Sequence, residues 1–121
     1  MNPLNPLRLA EEITISTIKL RLNLWEGTVL KVIDDVYLME QELNILSGTL
    51  TNIDDKNKVD LFASGASCII GQSKHLNFRK IADGYLLDLQ SCLIALQIVL
   101  CKRGADAAHD LCEPNPFALN A

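Results

Sequence analysis

Aromatic side chains are scarce in this chain, which has three Phe, two Tyr and one Trp. Its interior must be filled by Leu, Ile and Val instead, and that suits helices packed on helices. Charge of one dominant sign is missing too. Eleven basic residues stand against fifteen acidic ones, a net of −4, with no concentrated basic patch, which argues against nucleic acid or an anionic membrane as partner. There is no phosphate-binding loop, because neither Gly65 nor Gly71 is followed by the Lys-Ser/Thr that such a loop requires. No Asn-x-Ser/Thr sequon occurs, and the opening "MNPLNPLRLAEE" lacks a basic stretch followed by an apolar one. The expectation is therefore either a cytoplasmic protein or one whose signal peptide has been removed.

Long apolar runs are missing as well. The richest stretch, "LLDLQSCLIALQIVLCKRG", is interrupted by Asp88, Gln90, Ser91 and Gln97 before it meets Lys102 and Arg103. A bilayer span needs about 20 mostly apolar residues, so the expectation is a buried helix and no transmembrane segment. At 121 residues the chain fits one domain, residues 1–121, with one core.

What is present is helical periodicity. Asn5 followed by Pro6 is a helix start and Gly27 a stop, with Ile15, Ile18, Leu22 and Trp25 recurring between them. Leu20, Leu22 and Leu24 also alternate, so a strand competes there. Helix is preferred because the caps fit and no strand partner follows. The second segment carries one sustained seam, Val29, Val32, Val36, Met39, Leu43, Leu46, Leu50 and Ile53, behind a Thr28 cap. "TNIDDKNK" reads as a polar connection from which Asp54 or Asp55 opens a third helix, faced by Val59, Phe62, Ala66 and Ile69. An irregular connection over residues 71–84 leads to a fourth helix. It starts near Asp83 or Tyr85 and stops at Gly104, and its seam is Leu86, Leu89, Leu93, Leu96 and Leu100. A short fifth helix follows, about Ala105 to Cys112, before Pro114 and Pro116. The fold expected is all-α, an antiparallel bundle of four main helices plus a short C-terminal one.

Cys92 and Cys101 lie about 13 Å apart on one helix and cannot bond to each other. Two pairings of the four cysteines remain: Cys68 with Cys92 and Cys101 with Cys112, or Cys68 with Cys101 and Cys92 with Cys112. A turn near residues 74–83 favours the first. Reduced, buried thiols are the competing reading. A metal site from His109, Cys112 and Cys101 lacks a second ligand pair. A cysteine and histidine centre, Cys112 or Cys101 beside His109 with Asp106 or Asp110, matches no recognised arrangement. Neither metal nor enzymatic chemistry is expected, and no cofactor. Paired Asp34-Asp35 and Asp54-Asp55 read as a solvated face and a helix start.

The remaining candidate is the core itself. Aliphatic seams with small residues at Ala63, Gly65, Ala66 and Ser67 read either as an ordinary close-packed interior or as walls that leave a tunnel for an alkyl chain. The lining is read as Val36, Leu43, Phe62, Ser67, Ile69, Leu93, Leu96 and Gln97. "LNLWEG", a long aliphatic helix, "KHLNFRKIADG" and the closing leucine-rich helix together resemble the fungal hydrophobic-surface-binding and cell-wall galactomannoprotein family over residues 13–112. That resemblance implies a secreted helical bundle that adsorbs to hydrophobic surfaces or holds a fatty acid. The rival expectation is a helical interaction module in which an exposed part of the Val29 to Ile53 seam docks a partner helix or a second copy.

Overall fold

The computed structural model describes residues 5–112, with side chains up to residue 104. Four helices make up the fold, α1 (Pro6–Asn23), α2 (Val29–Thr49), α3 (Ile53–Gly71) and α4 (Phe78–Cys112), and no strand occurs among the described residues. They close a ring in which α2 packs most extensively on α3 and α1 on α4, with lighter contacts between α1 and α2 and between α3 and α4. The molecule is an all-α helical bundle.

The starts follow local chemistry. The Asn5 side chain accepts from the Leu7 and Arg8 amides with Pro6 in the first turn, and Thr28 accepts from the Lys31 amide. Each such cap contributes about 1 kcal/mol. α3 opens on Asn52 rather than on Asp54 or Asp55, because the Asn52 carboxamide takes both of those amides. The two aspartates fall in the first turn, where the helix dipole favours negative charge.

α2 buries the expected seam from Val32 to Leu50, whereas Ile53 lies exposed. α1 is a helix, which removes the strand alternative, but it turns the other face inward. Ala10, Ile13, Thr14, Thr17, Leu20 and Leu24 are buried, while Ile15, Ile18, Leu22 and Trp25 are exposed. Small residues at positions 10, 14 and 17 let α1 approach its neighbours closely, and the Thr14 and Thr17 hydroxyls are satisfied by the carbonyls of Ala10 and Thr14.

α4 departs from expectation at both ends. It starts at Phe78, well before Asp83, because Phe78 and Ala82 extend the Leu86 seam by two further steps and are themselves buried. It also runs through Gly104 to Cys112, so the expected break and separate fifth helix are not seen. A glycine inside a helix costs only about 1 kcal/mol, and it ends one only where the chain turns left-handed.

Candidate binding groove

The residues expected to line an internal tunnel do not meet around one. Val36, Leu43 and Leu93 have no exposed surface and belong to the packed core, with Ile69 and Leu96 nearly as buried. Phe62 stacks at a tilt against Tyr85 with ring centroids 6.0 Å apart, and the Phe62 carbonyl accepts from the Tyr85 hydroxyl. Burial pushes the Tyr85 phenol well above its usual range, with Glu40 adding to the effect. Ser67 lies on the surface and donates to Glu40 over 2.7 Å, and Gln97 donates to the Thr14 hydroxyl over 2.7 Å. Of the eight, Leu96 borders a hollow of about 160 Å³ beside Val59 and Cys92.

The roomiest concavity described lies between α1 and α2, where helix packing is light. It encloses about 500 Å³ and is bordered by Leu20 from α1 and Leu38, Met39 and Ile45 from α2. That volume falls within the ~300–1,000 Å³ of small-molecule sites. Leu20 and Met39 belong to the core and form the floor, whereas Leu38 and Ile45 stand half or more exposed as walls. A second hollow of about 290 Å³ shares Leu20, Asn23, Lys31 and Asp35 with the first and carries the groove on to Gly27.

The rim is polar. Lys31 donates to Asp35 over 2.8 Å across one helical turn, and that hydrogen bond, followed by the Asp35 charge, raises the ammonium above its ordinary value. Glu42 is half-buried, and burial first and the Glu12 charge second push its carboxyl up. Lys19 also borders the groove and makes no ion pair among the described residues.

Cys68, Cys92 and Cys101 are unbonded thiols, and the Cys112 side chain lies outside the described residues. The Cys68 to Cys92 bridge fails on register. A β-carbon at Gly65 would meet the Tyr85 ring at 2.9 Å, which sets position 65 level with 85. Cys92 lies seven residues of α4, about 10 Å along its axis, from that level. An early α4 start produces this slip. Cys92 instead sits beside Asp55, Lys58 and Val59, and burial raises its thiol pKa. No cluster of three potential metal ligands occurs among the described residues. His75 accepts from the Asn77 amide through Nδ1, and His109 lies outside the described side chains. Asp55, at the expected helix start, is also buried and paired with Arg103.

One segment, Phe78–Gly104 of α4, is long and apolar enough by length and composition to cross a membrane, and 22% of its most apolar stretch is buried in the bundle. The core helix of a soluble protein passes the same test but is mostly buried, whereas α4, expected as a buried helix, buries one face and leaves Leu87, Ile94 and Ile98 exposed. Sequence reasoning missed the groove because Leu38 and Ile45 fall off the α2 seam. Their signal was present as two apolar residues seven positions apart on its polar side.

No family model matches the chain, and neither a curated protein nor a solved structure does.

Proposed function

We propose that this protein binds an aliphatic chain, such as that of a fatty acid, in the groove between α1 and α2, without catalysing a reaction. The observation that supports it is the groove itself: about 500 Å³ bordered by four aliphatic side chains, two of them left exposed. Covering Leu38 and Ile45 removes apolar surface from water at roughly 25 cal/mol per Å², and Lys19 on the rim is the cation a carboxylate head would meet. The hydrophobic-surface-binding resemblance points to the same class of ligand. It also points to a secreted or cell-wall location, against which the unbonded thiols of Cys68, Cys92 and Cys101 favour the cytoplasmic assignment.

In the same reading the helices alternate in direction, as an antiparallel bundle. Support comes from cross-helix bonds whose numbers rise on one helix as they fall on the other: Ser47 to Asp60 and Ser67 to Glu40, Thr14 to Gln97 and Arg21 to Gln90. α4 is taken as a bundle helix and not a membrane span. Its polar residues Asp83, Gln97 and Arg103 all have partners on α1 or α3.

The test is titration with dodecanoate, followed by displacement of anilinonaphthalene sulfonate and by thermal melting. Saturable displacement and a rise in Tm with ligand concentration are expected in the wild type, and both are lost in Leu38→Glu and Ile45→Glu. A wild type that gives neither signal, or binding that survives both substitutions, overturns the proposal.

A further inference from the structure

The exposed seam of α1 has a counterpart on α4. Helical phase sets Ile15, Ile18 and Leu22 on one side of the line along which α1 meets α4, and Trp25 follows in the turn after α1. Leu87, Ile94 and Ile98 lie on the other side, and both sets face away from the core. Leu22 is 73% exposed, Ile98 65% and Trp25 63%. Together the two stripes form one apolar face on the back of the bundle, separate from the α1–α2 groove. Scattered exposed leucines are ordinary, but a contiguous face of this size marks an interaction surface.

The ends of the stripes say what the face fits. The first stripe runs from Glu11 on α1 to Glu26 in the turn that follows it, and the second from Lys80 to Lys102 on α4. All four are exposed, and none belongs to an ion pair among the described residues. The Thr14 to Gln97 and Arg21 to Gln90 bonds share one register, which sets Glu11 level with Leu100 and Glu26 level with Tyr85. A two-fold axis parallel to the helices lays α1 of one copy on α4 of the other at the same levels. Glu11 then faces Lys102 of the second copy and Glu26 comes within side-chain reach of Lys80, twice over. The acid-ended stripe meets the base-ended stripe, and the face is complementary to itself. The one charge pair within the face, Arg21 with Asp83, is already neutralised at 2.9 Å.

Area agrees with this partner. The seven apolar side chains bare on the order of 700 Å², close to the ~800 Å² that each partner gives to a standard stable interface. We infer that the protein is a two-fold dimer through the α1–α4 face, with α1 of each copy packed on α4 of the other.

Sedimentation equilibrium over a range of concentrations tests it. The wild type is expected at twice the chain mass of 13.4 kDa. Leu22→Glu and Ile98→Glu each raise the dimer dissociation constant by more than about tenfold without changing the far-UV helical signal. Lys102→Glu weakens the dimer and adding Glu11→Lys restores it, a rescue that a purely structural role would not give. The groove variant Ile45→Glu leaves the mass unchanged, so the dimer and ligand proposals fail independently. A wild type that stays monomeric throughout, or a dimer indifferent to Leu22→Glu and Ile98→Glu, overturns the inference.

Discussion

α2 and α1 carry similar apolar periodicity and use it in opposite ways. On α2 the most regular seam, Val32 to Leu50, is buried. On α1 the seam of Ile15, Ile18 and Leu22 faces out, and a second set, Ala10, Ile13, Thr14, Thr17 and Leu20, faces in. Periodicity therefore identifies a helix but does not choose its inner face when two seams compete. The buried face of α1 is the one that mixes large Ile13 and Leu20 with small Ala10, Thr14 and Thr17, and small residues allow a neighbouring helix to pack closely.

The largest expected effect lies on the α2 side of this contrast. Leu43 is fully enclosed, so Leu43→Ala should lower unfolding free energy by about 2–5 kcal/mol in urea titration. Leu22→Ala, at an exposed position of α1, should stay within about 0.5 kcal/mol of wild type when followed on the monomeric Ile98→Glu background. Equal losses at the two positions would erase the distinction between the seams.

The same logic was only partly legible in the sequence. The caps at Asn5 and Thr28, the α2 seam and the inner face of α3 all follow from residue type and spacing. What could not be read was register between helices. It depends on where α4 starts, and Phe78 stands in a stretch, residues 71–84, whose mixture of glycine, polar and basic residues reads as a connection. The disulfide pairing failed with that register, and so did the assembly of tunnel residues, since each was placed by its own helix and none by what filled the space opposite. The groove stayed hidden because its walls lie outside the seams.

A middle-sized effect sharpens the idea that small residues mark close approach. Gly65 has the Tyr85 ring 2.9 Å from where a β-carbon would be, whereas Gly48 in α2 has nothing within 4 Å. Gly65→Ala should destabilise by about 1–3 kcal/mol through overpacking. Gly48→Ala should stabilise by about 0.4–1 kcal/mol, because the alanine loses less conformational freedom on folding. Thermal melts of the two variants should move in opposite directions.

The smallest effect belongs to the rim between α1 and α2. Glu42 has a carboxyl raised by burial and by Glu12. A group raised in the folded state favours folding when protonated, and that contribution is lost as pH rises through its folded value. Glu42→Gln should therefore raise Tm slightly at neutral pH, and the gain should vanish in melts run below the ordinary glutamate value of 4.5. A gain that persists at low pH would assign the effect to packing instead of charge.

The Arg79 guanidinium on α4 donates to the carbonyls of Leu24 and Gly27, the second over 2.8 Å, and so caps the corner where α1 ends. The first bend of the chain is thus completed by a residue supplied more than fifty positions later. Without α4 in place the bend leaves two carbonyls to water, so this corner is a property of the whole ring and could not be transplanted as a turn. A chain leaving a ribosome has α1 and α2 in hand long before it owns the group that fixes the angle between them.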